Sequence, residues 1–61
     1  MDRDIAVELM CNTVDEFNRY QAAQNNIPSE QIEEYITQSR DQMAFVNGMI
    51  YDALKANGII A

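Results

Sequence analysis

The chain contains no histidine, one cysteine, one proline and two glycines among its 61 residues. Without histidine it lacks the side chain that most often serves as a general acid or base near neutral pH. Cys11 cannot form a disulfide within the chain, and one thiol is too small a ligand set for zinc. Gly48 and Gly58 lie far apart, so no glycine-rich phosphate loop is present. We therefore expect no catalytic residues, no bound metal and no cofactor.

Basic residues are few as well, with four Lys or Arg against ten Asp or Glu and a formal net charge of −6. Nucleic-acid binding relies on basic side chains that cluster on one face. The four basic residues here are scattered along the chain, which argues against direct nucleic-acid binding, including an RNA-binding hairpin. An acidic balance instead favours a basic partner surface.

Long apolar runs are also missing. No stretch approaches 18 apolar residues, so the sequence predicts no membrane span. The residues from Met1 to Asp4 include two acids and lead into no apolar run, so we expect no secretory signal. A single free thiol fits a reducing compartment. We expect the protein in the cytoplasm, and in the host cytoplasm if a phage encodes it.

The segment from about residue 3 to 24 has the periodicity of an amphipathic helix. Asp2 or Asp4 can cap its start. Its apolar arc covers roughly 200°, which is wider than one contact requires and indicates two neighbours. Cys11 lies at the rim of this arc, where we expect it to be buried or half-buried. The arc includes Leu9, Val14 and Phe17.

The acids of this first helix lie on the opposite arc, where we expect them to be solvated. Asp15 and Arg19 are four residues apart with the acid first, a spacing that favours an ion pair along one helix.

A second helix is predicted from about residue 29 to 57, after a turn at about 25 to 28. Pro28 disfavours helical geometry before it, and Ser29 is a good N-cap. Gly58 can supply the left-handed residue that ends the helix. Gly48 weakens the helix by about 1 kcal/mol relative to alanine. A break there would give three helices, but the pattern continues on both sides and favours one.

A narrow stripe follows this second helix in alternating steps of four and three, from Ile32 through Ser39 to Asn57. Such spacing marks the seam that a facing helix covers. The residues assigned to a core or dimer seam are Ile32, Ile36, Met43, Val46 and Ile50 with Leu9, Val14 and Phe17.

These patterns predict an all-α fold, an antiparallel two-helix hairpin that forms a single domain over residues 1–61. A chain this short buries only about 60% of its unfolded surface. Small domains make up that deficit with disulfides, metals or oligomerisation. Since the first two are excluded, we expect the hairpin to pair into a homodimeric four-helix bundle.

Some large side chains lie off the predicted seam and are candidates for binding a partner protein. Phe45 and Met49 form one patch on the flank of the second helix, and Tyr51 is expected further round, in exposed surroundings. The alternative is that Phe45 and Met49 form a second contact within the dimer. The apolar tail from Ile59 to Ala61 can dock a partner or seal the open end of the bundle. The partner-binding candidates are Phe45, Met49, Tyr51, Leu54 and Lys55.

The second helix resembles that of the NblA family, small cyanobacterial and algal adaptors that promote phycobilisome breakdown. The likeness covers about half of the chain. This chain lacks the tryptophan that the family has after the second helix. It also lacks the basic residue that the family has after the methionine matched by Met43. The resemblance implies a four-helix dimer whose Leu54 and Lys55 touch the light-harvesting antenna. The matching residues are Ser29, Glu30-Gln31, Tyr35-Ile36, Gln42-Met43 and Leu54-Lys55.

We expect a small acidic, non-catalytic adaptor or inhibitor that self-associates and binds a partner protein, as many phage-encoded regulators do. The alternatives are an NblA-like adaptor and an acidic mimic of nucleic acid. The mimic would use two carboxylate rows, namely Glu30, Glu34 and Asp41, and Asp4, Glu8 and Asp15. A metal cluster at Glu30, Glu33 and Glu34 is disfavoured, since acids in a first helical turn complement the helix dipole.

Overall fold

The computed structural model describes residues 2–60 and contains two α-helices that pack against each other. Helix α1 spans Arg3–Gln24, and helix α2 spans Ser29–Ala56. The start of α1 meets the end of α2 through an Arg3–Asp52 ion pair, so the helices are antiparallel. The predicted all-α hairpin is confirmed, and α2 continues through Gly48 without a break.

The two helices begin in different ways. A carboxylate oxygen of Asp2 accepts hydrogen bonds from the backbone amides of Asp4 and Ile5, at 2.9 and 3.2 Å. No side chain caps α2, and the expectation that Ser29 is its N-cap was wrong. Ser29 is already helical because the extended Pro28 occupies the cap position, and the Pro28 carbonyl accepts hydrogen bonds from the amides of Gln31 and Ile32.

The two helices end in the same way, with a residue in the left-handed conformation followed by an isoleucine. Asn26 has φ 57° after α1, and Gly58 has φ 73° after α2. The next residue donates its backbone N–H to a carbonyl of the last helical turn, at 2.9 Å for Ile27 and 3.0 Å for Ile59. This Schellman arrangement satisfies carbonyls that the helix leaves without partners.

Small and polar side chains form much of the contact between the helices. On α2 the buried positions after Ile36 are Asn47, Gly48 and Tyr51, and Asn47 and Tyr51 are four residues apart. The contact follows the predicted stripe from Ile32 to Met43 and then moves to Asn47 and Tyr51, because rows of positions four apart are inclined to the helix axis. The buried residues of the hairpin are Ala6, Cys11, Asp15, Ala22, Ile36, Asn47, Gly48 and Tyr51.

Candidate binding surfaces

Ion pairs between the helices line one side of the hairpin, which we call the polar flank. Arg40 donates to the Asp15 carboxylate at 2.7 Å, and Arg19 donates two hydrogen bonds to Glu33, at 2.9 and 3.0 Å. Arg19 also binds Glu16 one turn earlier, at 2.8 Å. These contacts tie α1 to α2 along the middle and the turn end of the hairpin.

The expected Asp15–Arg19 pair was wrong, as was the expectation that every acid of α1 is solvated. Asp15 is buried, and its cation comes from Arg40 of the other helix. A buried carboxylate needs a charged hydrogen-bond donor, and α2 brings one directly over it. Arg19 instead donates hydrogen bonds to Glu33 and Glu16.

Another ion pair fastens the open end of the hairpin. Arg3 donates to both carboxylate oxygens of Asp52, at 2.9 and 3.1 Å. Its guanidinium lies across Gly48, where a Cβ atom would stand 2.7 Å from Nη2 of Arg3. The glycine inside α2 therefore gives Arg3 room to reach Asp52.

The arginines shift the titration of their partners. Hydrogen bonds from Arg19 hold the pKa of the Glu33 carboxyl below its usual 4.5, and they outweigh the opposing effect of desolvation. Hydrogen bonds from Arg3 likewise hold the pKa of Asp52 below its usual 3.8. The same bonds raise the pKa values of Arg3 and Arg19.

A buried polar contact lies between the helices at mid-length. The Asn47 side-chain amide donates to Sγ of Cys11 at 3.3 Å, and both residues are buried. The sequence correctly predicted a buried or half-buried Cys11, whereas nothing in the pattern marked Asn47 as buried. The thiol faces an amide donor in this arrangement, and an amide is not a base that could activate it.

On α1, apolar side chains lie across the contact line from the polar flank. Helical positions advance by about 100° per residue, which places Val14 and Phe17 on the side away from Asp15 and Arg19. Val14 is half-buried, and Phe17 is 57% exposed. The apolar arc of α1 is therefore only partly covered by α2.

The same geometry applies to α2. Val46 and Ile50 lie across the contact line from Glu33 and Arg40, and both are exposed, Ile50 by 44%. Since the ion pairs bring the polar sides of the two helices together, the apolar sides also adjoin each other. We call this joint surface the apolar flank. It consists of Leu9, Val14, Phe17, Ile32, Met43, Val46, Ile50 and Leu54.

At the open end of the hairpin the apolar flank deepens into a groove of about 260 Å³. Leu9 lies on one wall and Leu54 on the other, while the half-buried Ile60 closes the end. Ile60 thus seals this end, whereas Ile59 is exposed. Ala61 of the predicted tail lies outside the described residues. The groove is lined by Ala6, Leu9, Met10, Tyr51, Leu54 and Ile60.

Packing of α1 against α2 covers only some of the predicted seam residues within one chain. Ile36 is buried, and Ile32, Met43 and Val14 are half-buried. The remaining seam residues are exposed, and with the half-buried ones they belong to the apolar flank. They are Leu9, Phe17, Val46 and Ile50.

The partner-binding candidates are divided by the structure. Phe45 is 70% exposed and Met49 is also exposed, and the two form the outer face of α2, directed away from α1. Tyr51 is a correction, because it is 4% exposed and buried against α1. The inclined contact line reaches Tyr51 where the predicted stripe would have reached Ile50. Leu54 is half-buried in the groove, and Lys55 is exposed.

The acidic rows proposed for a nucleic-acid mimic are unequal. Glu30, Glu34 and Asp41 of α2 are all exposed. On α1 the row is interrupted, because Asp15 is buried under Arg40. Over residues 2–60, no three acidic or cysteine side chains converge closely enough to hold a metal ion.

Within the part of the chain that the structure describes, neither helix combines the length and apolarity that crossing a membrane requires. Comparison with protein families, with curated proteins and with solved structures returned no match.

Proposed function

We propose that this chain is a small acidic, non-catalytic adaptor or inhibitor that works as a homodimeric four-helix bundle and binds a partner protein. One observation carries the proposal: large apolar side chains remain exposed on both helices after the hairpin has formed. Contiguous exposed apolar surface is uncommon on a chain that acts alone, and it marks sites of protein association. The place of action would be the cytoplasm, that of the host if a phage encodes the protein.

The outer face of α2 is the proposed partner-binding surface. Phe45 and Met49 are one helical turn apart, so their side chains adjoin each other. Aromatic and methionine side chains are enriched at recognition surfaces, where they supply apolar contact. The exposed Asp41 borders the patch, which suits a partner with an apolar anchor and a basic neighbour. Asp52 also borders the patch, but its carboxylate is paired with Arg3.

A non-catalytic role is supported by the chemistry of the side chains. The chain has no histidine, and its one thiol is buried beside the Asn47 amide. The acids that the hairpin draws together are neutralised by arginines in ion pairs. Each of these groups contributes to structure and leaves the partner-binding surface free of reactive chemistry.

Capture experiments with the purified chain as bait test the proposal. Phe45→Ala should abolish capture of the partner from source cells, because it removes the most exposed large apolar side chain. Tyr20→Ala is the matched control, since Tyr20 is 64% exposed on α1, away from the outer face of α2. Circular dichroism should show both variants folded. Equal capture by Phe45→Ala and the unaltered chain would refute this surface.

The exposed row of Glu30, Glu34 and Asp41 favours a second candidate function, an acidic mimic of nucleic acid. The dependence of partner binding on ionic strength distinguishes this mimic from the adaptor. Exposed charges are screened within about 8 Å at physiological salt. A mimic would therefore lose its partner steeply as salt rises, whereas apolar docking should persist. An NblA-like adaptor would be distinguished by its captured partner, an antenna protein held through Leu54 and Lys55.

A further inference from the structure

We infer that the apolar flank is the face on which a second copy of this chain packs, by a two-fold symmetric contact. The inference rests on the self-association in the proposed function, and it assigns that association to one surface. The flank is built from both helices, so two copies meeting there give a layer of four helices. The polar flank and Phe45 on the outer face of α2 then stay free.

The surface area of the chain supports a partner of this size. Its accessible surface is 4729 Å² for a mass of 7.0 kDa. A folded monomer of that mass exposes about 4,000 Å² on average. The excess of about 700 Å² is close to the roughly 800 Å² that each partner buries in a stable interface of standard size. A second copy covering the flank would bring the exposed area to the ordinary value.

Charge also favours this face over the others. Each copy carries a net charge of −6, so two copies repel unless they meet where acids are absent. The side of α2 that belongs to the flank carries no charged residue over its whole length. It includes the flank residues Ile32, Met43, Val46 and Ile50 and the uncharged residues beside them, Tyr35, Ser39, Gln42 and Ala53.

A two-fold symmetric contact covers exposed apolar side chains of both helices at once. In a symmetric pair each copy presents the same patch, so Phe17 of one copy and Ile50 of the other are covered together. This arrangement covers Leu9 and Phe17 of α1, which α2 leaves exposed. The groove between Leu9 and Leu54 provides a recess for an apolar side chain of the second copy.

Sedimentation equilibrium at micromolar concentration tests the face with two charge substitutions. The unaltered chain should have twice its 7.0 kDa mass. Ile50→Lys places one charge per copy in the contact and should raise the dimer dissociation constant by roughly 100-fold or more. Phe45→Lys adds the same charge on the outer face of α2 and should still sediment with the mass of the dimer.

The Ile50→Lys chain could unfold when it loses its second copy, so labelling provides an independent measurement. In a Cys11→Ser background, which keeps an acceptor for Asn47, single cysteines are placed at Val46 and at Phe45. Maleimide should label Val46→Cys at least about tenfold more slowly than Phe45→Cys at micromolar concentration. Dilution below the dissociation constant should remove the difference.

The outcomes separate this inference from the proposed function. A dimer that survives Ile50→Lys but dissociates with Phe45→Lys would overturn the assigned face and leave self-association standing. A folded chain of 7.0 kDa at micromolar concentration would overturn both the dimer and its face, although capture through Phe45 could still be observed. Equal labelling of both cysteines at every concentration would also overturn the assigned face.

Discussion

At the scale of single residues, the Asp15–Arg40 pair is unequal, because the carboxylate is buried and the arginine is half exposed. Removing Arg40 leaves a buried charge without a partner, whereas removing Asp15 returns a guanidinium to water. We expect Arg40→Ala to lower the free energy of unfolding by about 2 kcal/mol and Asp15→Asn by less than about 1 kcal/mol.

Urea denaturation at one fixed protein concentration measures both variants, since self-association would otherwise change the midpoint. The double variant is the control: once Asp15 has become asparagine, Arg40→Ala should cost far less than it does alone. Equal costs for the two single variants would show that the carboxylate is not buried in solution.

Tyr51 and Asn47 show why single residues were hard to place from sequence. The helical spacing of the sequence placed Tyr51 among exposed charges, and nothing in that spacing marked Asn47 as buried. Each lies about one turn from the other on a row of positions four apart. Only the angle between the helices decides whether that row or the neighbouring stripe faces α1, and residue spacing along one helix does not contain that angle.

At the scale of the helices, the left-handed residues at the two ends offer a matched comparison. Glycine adopts positive φ without the steric cost that a side chain imposes. Asn26→Gly should therefore raise the free energy of unfolding by about 0.5 kcal/mol, while Gly58→Ala should lower it by about 1 kcal/mol. Both residues have φ between 50° and 80° in the structure.

Thermal denaturation of both variants, with Asn26→Ala as a third, checks this expectation. Asn26→Ala should destabilise, because alanine carries a Cβ atom and lacks asparagine's tolerance of the left-handed region. A stabilising effect of Gly58→Ala would mean that the end of α2 does not adopt the left-handed cap.

The helices themselves were largely predictable from sequence. Asp2 was one of two predicted caps, and Gly58 was assigned its left-handed role from residue type and position alone. These features depend on contacts within a few residues, which the sequence displays directly. The Ser29 cap failed because Ser29 is itself the first helical residue, with the extended Pro28 in the cap position before it.

At the scale of the whole molecule, the ion pairs that join the helices link stability to pH. The pKa values of Glu33 and Asp52 are lowered in the folded state, so their contribution is present above the unfolded values of 4.5 and 3.8. It is lost as the pH falls through the lower folded values. The difference in unfolding free energy between the unaltered chain and Glu33→Gln should be constant near neutral pH and shrink below about pH 4.5.

Urea titrations across this pH range provide the measurement. Glu34→Gln is the matched control, because it removes the same charge from α2, and the Glu34 carboxylate accepts a hydrogen bond from Gln38 of its own helix. Subtracting its effect isolates the contribution of the Arg19–Glu33 link from the general effect of lowering the negative charge. A difference that does not shrink in acid would show that the link contributes nothing to folding.

The sequence by itself determined the two helices, the turn between them, their antiparallel pairing and the position of Phe45 off the contact between them. Periodicity, caps and a short connection fix these features through local contacts. The tertiary structure alone decided that Tyr51 and Asn47 face α1, that Arg40 rather than Arg19 pairs with Asp15, and that Val46 and Ile50 stay exposed. Those outcomes depend on the angle at which α1 crosses α2, and the packing of the two helices against each other sets that angle.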